Sequence, residues 1–178
     1  SQDFPNEVAQ GLYSARWVKD TIFSWITDTP LRLQGEYRYS DLGFIMLHWA
    51  LPNLLNEQPS EYLYSHFYNK LGMNHTLYHP LSRFNREQVV PTESDAYFRK
   101  QLLWGHVHDP AAGMLGGEAG HAGLFSNAND LAKLMQMYLN KGVYGGERFL
   151  PANTIDYFTS CVNCANGVRR GLGFDKPE

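Results

Sequence analysis

The sequence predicts a predominantly α-helical chain with long loops. Apolar residues recur at helical spacing in several segments, whereas alternating strand patterns are scarce. Residues 73–128 are rich in Gly, Pro and His and are expected to form mostly loop. A connection this long is uncommon in a compact domain unless it is functional, so we expect it to be ordered beside a binding cleft. Residues 1–178 are predicted to form a single domain.

The first predicted helix covers residues 15–27. It ends before Thr29-Pro30, because a proline disfavours helical backbone at the residue that precedes it. Residues 31–39 follow as an extended, aromatic segment. The apolar face of the helix consists of Val18, Ile22, Trp25 and Ile26.

A second helix is predicted to begin at Asp41, whose carboxylate can cap the first backbone N–H groups. Pro52 is expected to kink or end it, because proline lacks the N–H that a helix interior needs. The third helix opens at Pro59 and stops at Gly72. The buried positions predicted for these two helices are Leu42, Ile45, Met46 and Trp49, then Tyr62, Leu63, Phe67 and Leu71.

Within the long loop region, a short helix is predicted near residues 94–103. Residues 126–130 are rich in polar capping residues, and they begin an amphipathic helix that runs to about Leu139 and ends at Gly142. The buried face predicted for this helix consists of Leu131, Leu134, Met135 and Tyr138.

The C-terminal part of the sequence contains one more helix signal. Pro151 is a favourable first residue, and the helix is expected to reach Phe158. Residues 169–174 are predicted to begin a strand. Cys161 and Cys164 supply at most half of a zinc site, and the spacing leaves open whether they are two incidental thiols or a small local disulfide.

Composition restricts the possible partners of the chain. The 43% apolar and 19% charged residues are typical of a globular protein. The formal net charge of -3 and the absence of a basic stripe exclude nucleic acid as an expected partner. No apolar run approaches the roughly 20 residues that a membrane-spanning helix needs. Residues 1–5 show neither the basic start nor the apolar stretch of a signal peptide.

A short motif, Tyr39-Ser40-Asp41, stands directly before the second predicted helix. Three residues alone are weak grounds for a function. Further motifs follow it in order, and their succession is more specific than any one of them. They are Leu71-Gly72-Met73-Asn74-His75-Thr76, Pro91-Thr92-Glu93, Gly105-His106-Val107-His108-Asp109, residues 116–126 and Tyr144-Gly145-Gly146-Glu147-Arg148.

This succession resembles that of the β-lactamase-related serine hydrolases, which include class C β-lactamases, penicillin-binding-protein-like esterases and D-alanyl-D-alanine carboxypeptidases. The likeness is closest to bacterial members in which such a module follows a β-N-acetylhexosaminidase domain. It implies an α+β fold of the β-lactamase/transpeptidase type, of which this chain is the central, largely helical part. It also implies a small-molecule or peptidoglycan-type substrate, a periplasmic or cell-envelope location and no cofactor. The remaining parts of the parent protein are then its expected partners.

The resemblance implies catalytic roles for Tyr39 and Asp41. In this family the tyrosine assists deprotonation of a nucleophilic serine from a Ser-x-x-Lys motif. No lysine here has a serine three positions before it, so we expect the chain by itself to be inactive. Asp41 departs from the more usual Asn: an ionised carboxylate only accepts hydrogen bonds, which favours a generic esterase or amidase. The expected substrate-cleft residues are Ser40, His108, His121 and Gly123.

Two other functions stay open from the residues alone. A metal-dependent hydrolase could use three imidazoles and a carboxylate, those of His106, His108, Asp109 and His121. Their spacing lacks the third histidine and the Asp-His pair of the familiar metallo-hydrolase signature, so no metal is expected. The chain could also be a non-catalytic binding module. If its helices normally pack on strands that lie outside this chain, residues 42–49 and 131–139 should retain exposed apolar side chains.

Overall fold

The computed structural model describes residues 2–32, 38–161, 164 and 169–175. Among these residues it contains six α-helices and three two-stranded antiparallel sheets. The prediction of a mainly helical chain with long loops is confirmed. The chain forms two compact units, one of residues 1–64 and 75–126 and the other of residues 65–74 and 127–178. The predicted extended segment 31–39 lies largely outside the described residues.

The first unit begins with a hairpin that the sequence did not predict. Strands β1 (Asn6–Ala9) and β2 (Leu12–Ser14) pair in antiparallel fashion. Gly11 sits in the turn at a φ of 71°, a conformation that glycine adopts without strain. Strands of three or four residues are too short to show a recognisable alternation of apolar and polar side chains.

Helices α1 (Val18–Asp28) and α2 (Leu42–Leu55) follow, as predicted. Helix α2 continues through Pro52 and ends only at Asn56, which has a left-handed backbone. The alternative in which Pro52 ends the helix is therefore wrong. Tertiary packing of the helix on the core outweighs the local cost of a missing N–H donor.

The core of the first unit joins α2 to the later loop region. Ile45 of α2 packs with buried side chains of the segment 107–119, and partly buried side chains of α1 surround them. This packing places the N-terminal half of α2 beside the glycine-rich loop 116–123. The core cluster consists of Ile45, Val107, Ala112, Leu115 and Ala119, with Ile22, Phe23, Ile26 and Ala122 packed against it.

The predicted short helix near 94–103 is wrong, because a second hairpin occupies this region. Strand β3 (Pro91–Asp95) pairs with β4 (Gln101–Trp104). The carboxylate of Asp95 accepts hydrogen bonds from the backbone N–H groups of Tyr97, Phe98 and Arg99, which forms a tight turn instead of a helix.

The Arg99 side chain fixes this hairpin to the rest of the unit. It is fully buried, and its Nε donates to Asp95 Oδ2 at 2.7 Å. Its Nη1 donates to the carbonyl oxygen of Val107 at 2.7 Å, and its Nη2 donates to that of His108. The guanidinium therefore connects the hairpin turn to the segment that precedes Asp109.

Two shorter helices complete this part of the chain. Helix α3 (Pro59–Leu63) begins at Pro59 as predicted and passes into a π-helical turn, Tyr64–Tyr68. Helix α4 (Pro110–Met114) was not predicted, because five residues show no periodicity. Asp109 caps α4 by accepting a hydrogen bond from the backbone N–H of Ala112 at 2.7 Å.

The second unit is built around helix α5 (Ala128–Leu139). Asn127 caps α5, since its side chain accepts from the backbone N–H of Asp130 at 2.8 Å. The predicted buried face is wrong: Leu131 and Met135 are exposed, Leu134 and Tyr138 are only partly buried, and the buried side chains are Asp130 and Met137. The neighbours of α5 within this unit, rather than its apolar stripe alone, determine which of its side chains are buried.

The second unit ends with small elements. Strands β5 (Val143–Tyr144) and β6 (Glu147–Arg148) form a hairpin, and α6 (Ala152–Thr159) matches the predicted last helix. The predicted strand near 169–174 is present only as an isolated bridge between Arg170 and Asp175. Cys161 and Cys164 form a local disulfide, which is one of the two alternatives that the sequence left open.

Helices α2 and α5 both carry large apolar side chains at the surface. Leu42 and Trp49 of α2 were predicted to be buried, and that prediction is wrong; their exposure is the result expected if the helices normally pack on strands outside this chain. None of the described helices is long and apolar enough to cross a membrane. The exposed side chains on the two helices are Leu42, Phe44, Leu47, Trp49 and Leu54 on α2, and Leu131, Met135 and Leu139 on α5.

Candidate active site

Tyr39, Ser40 and Asp41 lie immediately before α2. The Tyr39 side chain is 73% exposed. Ser40 Oγ accepts a hydrogen bond from the backbone N–H of Leu42 at 3.3 Å. The Asp41 carboxylate makes no capping hydrogen bond, although Asp41 occupies the N-cap position. The prediction that the Asp41 side chain caps the helix is therefore wrong: Ser40 interacts with the helix N-terminus, and the carboxylate is available for another partner.

The glycine-rich loop 116–123 packs against the first turns of α2. A Cβ atom on Gly120 would lie 2.2 Å from the carbonyl oxygen of Phe44 and 2.9 Å from Cβ of His48. At Gly123, where φ is 115°, a Cβ would lie 2.2 Å from the carbonyl oxygen of Gly117. Glycine is required at both positions, because any side chain would collide with backbone. The loop and α2 therefore form one closely packed wall beside the Tyr39 motif.

Replacing Gly120 with alanine is expected to lower the free energy of unfolding by about 1–3 kcal/mol, the usual cost of overpacking. The carbonyl of Phe44 belongs to the helix backbone and cannot swing away as a side chain could. Gly43→Ala, in the first turn of α2, is the matched control, because nothing lies within 4 Å of a Cβ there. Chemical denaturation measures both variants, and equal stability would contradict this packing.

His121 of the same loop pairs with Asp109, and the histidine is the buried member of the pair. His121 Nε2 lies 2.9 Å from Asp109 Oδ1, and the His121 side chain is only 4% exposed. Its Nδ1 is buried without a hydrogen-bond partner among the described residues. Burial raises the pKa of Asp109, but hydrogen bonds from the Ala112 N–H and from His121 outweigh it and lower the pKa overall. The pair connects α4 to the glycine-rich loop and leaves one imidazole nitrogen unsatisfied.

The other predicted histidines point elsewhere. His106 Nε2 lies 3.9 Å from Glu7 Oε2 of β1, and His108 is exposed. In the part of the chain that the structure describes, no three His, Cys, Asp or Glu side chains gather into a possible metal site. The structure thus brings together Asp109 and His121, but not the four residues that a metal-dependent hydrolase was expected to use.

A cavity of about 310 Å³ lies in the first unit, between α1, α2 and the start of the glycine-rich loop. It is lined by Lys19, Phe23, His48, Trp49 and Glu118, among others. Sequence reasoning did not name these residues as site residues, because they come from three separate segments. Only Glu118 belongs to a motif, that of residues 116–126.

Glu118 contacts both α2 and α3. Its Oε1 accepts a hydrogen bond from the backbone N–H of Ser60 at 3.1 Å and lies 3.6 Å from His48 Nε2. Burial lowers the pKa of His48, and the nearby Lys19 and His121 lower it further, while Glu118 raises it in part. The His48 imidazole is therefore mainly neutral at pH 7.

Known proteins are similar to this chain in sequence, and others are similar to it in fold. The beta-lactamase family profile matches residues 2–161. A protein of Escherichia coli (strain K12), provisionally named D-alanyl-D-alanine carboxypeptidase, is 36% identical over 172 aligned residues, which cover 88% of this chain and 39% of that protein. A relative of the same name from Salmonella paratyphi B is 34% identical over 171 residues, with the same coverages. The chain thus spans about two fifths of the length of these relatives.

Solved structures show the fold at lower sequence identity. The D-amino acid amidase of Ochrobactrum anthropi SV3 superposes with a TM-score of 0.57 at 14% identity, over 90% of this chain and 44% of the amidase. An octameric penicillin-binding protein homologue from Pyrococcus abyssi superposes with a TM-score of 0.54 at 16% identity, over 86% of this chain and 33% of the homologue. The expectation of a β-lactamase/transpeptidase-like fold is confirmed. The chain belongs to the beta-lactamase family.

Proposed function

We propose that this chain is the central part of a serine hydrolase that acts through an acyl-enzyme on D-alanyl peptides or related amides and esters. The observation that carries this proposal is the position of Tyr39-Ser40-Asp41 at the start of α2, in a chain of the beta-lactamase family, with the Tyr39 phenol exposed. The names of the curated relatives and of the amidase neighbour favour this substrate class.

Tyr39 is proposed to act on the proton of the nucleophilic serine. A phenol has an ordinary pKa near 10, so it works as a base at neutral pH only beside cations that stabilise its phenolate form. The resemblance places such a cation in the Ser-x-x-Lys lysine, which no residue of this chain supplies. Tyr39 therefore presents its phenol to a part of the site that other segments complete.

Asp41 is proposed to hold that same lysine in place. Its carboxylate has no ion-pair partner among the described residues, while its backbone oxygen accepts from the N–H of Ile45 at 3.0 Å and so belongs to the helix start. A carboxylate can accept from a lysine ammonium but cannot donate to a substrate carbonyl. Recognition of the substrate carbonyl would then depend on other groups, with Ser40, His108, His121 and Gly123 as proposed cleft residues.

The natural setting of the chain follows from the same proposal. A peptidoglycan-type substrate lies in the cell envelope, so we propose a periplasmic or exported location. No cofactor is needed, because the acyl-enzyme chemistry requires only a nucleophile, a base and hydrogen-bond donors. The remaining parts of the parent protein, which include the nucleophile, are the proposed structural partners.

Hydrolysis by the isolated 178-residue chain and by the intact natural protein tests this proposal. Nitrocefin, a short-chain nitrophenyl ester and a D-alanyl-D-alanine peptide are the substrates. We expect turnover only by the intact protein, because covalent catalysis needs an oriented serine with its base. An intact protein that hydrolyses none of them would instead favour a non-catalytic binding module. Turnover by the isolated chain that is lost in Tyr39→Phe would mean that a serine within it is the nucleophile.

A further inference from the structure

The orientation of the His121 imidazole depends on a single carboxylate. Its Nε2 lies 2.9 Å from Asp109 Oδ1, and this is the one hydrogen bond of the imidazole to the residues that the structure describes. Burial opposes ionisation of Asp109, but hydrogen bonds from the Ala112 N–H and from His121 lower its pKa overall. Asp109 is therefore ionised at neutral pH and can only accept, so the proton of this hydrogen bond belongs to His121 Nε2.

The Asp109 carboxylate is itself fixed in the fold. Its Oδ1 also accepts a hydrogen bond from the backbone N–H of Ala112 at 2.7 Å, which caps α4. The Arg99 side chain, which is fully buried, donates to the two backbone carbonyl oxygens directly before Asp109. The carboxylate is thus an anchored acceptor, and the His121 ring takes its position from it.

His121 lies in a tight turn that packs against α2. The backbone N–H of Ala119 donates to the carbonyl oxygen of Ala122 at 3.2 Å, and Gly120 and His121 lie between these two residues. The turn leaves no room for a Cβ at Gly120, where that atom would lie 2.2 Å from the carbonyl oxygen of Phe44. The turn and the backbone of α2 are therefore in direct contact, and neither can shift without the other.

The same part of α2 carries the Tyr39 motif. The backbone N–H of Ile45, the residue after Phe44, donates to the carbonyl oxygen of Asp41 at 3.0 Å. Tyr39 stands two residues before Asp41, so the position of its phenol depends on the first turn of the helix. Closely packed interiors are hardly compressible and transmit a displacement to their neighbours. A shift of the turn 119–122 would therefore displace the motif.

We propose that Asp109 and His121 form a positioning pair for the Tyr39 motif. The pair holds the turn 119–122 against α2, and α2 holds Tyr39 and Asp41 in the geometry that hydrolysis needs. The His121 side chain is only 4% exposed, so it acts on the cleft through this turn rather than by touching the substrate. This inference rests on the proposed hydrolysis, because it assigns a further task within the same site.

Two amide variants of His121 test the pair in the intact natural protein. In His121→Gln the amide nitrogen takes the place of Nε2 and can still donate to Asp109, whereas in His121→Asn it takes the place of Nδ1 and cannot reach the carboxylate. We expect His121→Gln to keep most of its kcat. His121→Asn should lower kcat by about 10–100-fold, because a displacement of about 1 Å at a reacting group can cost that much. KM for a nitrophenyl ester should change little in either variant.

Two further measurements separate positioning from stability. His66→Asn, at an exposed position of the second unit, is the matched control and should retain full activity. Proton–nitrogen NMR of the natural protein should show the neutral His121 ring protonated at Nε2. A ring protonated only at Nδ1 would overturn the proposal. So would a His121→Asn variant with a lower unfolding midpoint but an unchanged kcat, since its hydrogen bond would then be merely structural.

Comparison with Tyr39→Phe distinguishes the two proposals. If Tyr39→Phe lowers kcat while His121→Asn does not, the positioning pair is refuted and the proposed hydrolysis stands. If Tyr39→Phe has no effect, both fail. If His121→Asn does not fold, His121→Gln decides: retained kcat together with the Nε2–H ring supports the pair, and a loss of kcat in this folded variant refutes it.

Discussion

In the intact natural protein, Tyr39→Phe is expected to lower kcat by about 10²–10⁴-fold, the usual contribution of a positioned acid–base group. The substitution removes only the phenol oxygen, which is the atom proposed to handle the proton of the serine. The side chain is 73% exposed and has no described hydrogen-bond partner, so the fold should not be affected. The measurement is hydrolysis of a nitrophenyl ester, with an unchanged unfolding midpoint as proof of an intact fold.

A matched tyrosine distinguishes this role from a general effect of losing a hydroxyl group. Tyr97 is 94% exposed at the tip of the β3–β4 turn, away from the start of α2 in the sequence. Tyr97→Phe is expected to retain full activity. If Tyr39→Phe also retains it, Tyr39 has no part in proton transfer, and the proposed mechanism for this family member fails.

Arg99→Met is expected to lower the free energy of unfolding by about 3–5 kcal/mol, the cost of breaking a buried ion pair from one side. The guanidinium is fully buried. Its loss removes the cation that pairs with the Asp95 carboxylate and leaves the carbonyl oxygens of Val107 and His108 without this donor. Methionine has a similar length, so the lost hydrogen bonds, rather than a cavity, dominate the effect. Urea denaturation measures the change. Arg32→Met, at an exposed position, is the control and should differ little from the natural protein.

The pH dependence of this difference gives a second readout. The Arg99 side chain holds the pKa of Asp95 well below its usual 3.8, with backbone N–H groups of the turn, chiefly that of Phe98, adding to the effect. A carboxyl group with a lowered folded-state pKa contributes stability that is fully present above the unfolded pKa and is lost as pH falls through the folded one. The stability gap between the natural protein and Arg99→Met should thus persist from pH 7 to about 5 and narrow below about 4. A gap that does not change with pH would show that packing, not the ion pair, is lost.

Local sequence signals predicted the elements that local interactions form. Helix α1 ends before Thr29-Pro30, and α6 follows Pro151, because the backbone restrictions of proline act on neighbouring residues only. The run of residues 126–130 also predicted the start of α5, because the cap that Asn127 forms reaches only to the backbone N–H of Asp130. Tyr39-Ser40-Asp41 could also be found, since its residues are adjacent in the chain.

Long-range contacts decided the elements that were missed. The turn in the β3–β4 hairpin depends on Asp95 and Arg99, and Arg99 is fixed by carbonyl groups eight and nine residues further along the chain. Residues near 94–103 have acceptable helix formers, so a local pattern favoured a helix there. The burial of Asp130 and the exposure of Leu131 on α5 likewise depend on neighbours that the helical period does not contain.

Helical periodicity and a contiguous motif are properties of neighbouring residues. The mainly helical character of the chain, its resemblance to β-lactamase-related hydrolases and the position of Tyr39 and Asp41 before α2 could therefore be read from the sequence. Contacts between distant residues could not: Asp109 pairs with His121, His106 lies beside Glu7, and Lys19 and Glu118 line one cavity only in the folded chain. These pairs lie up to about a hundred positions apart in the chain, and their meeting depends on how α1, α2 and the glycine-rich loop share a core. Tertiary packing depends on residues that are far apart in the chain. It therefore determines which of the chemically suitable side chains come into contact.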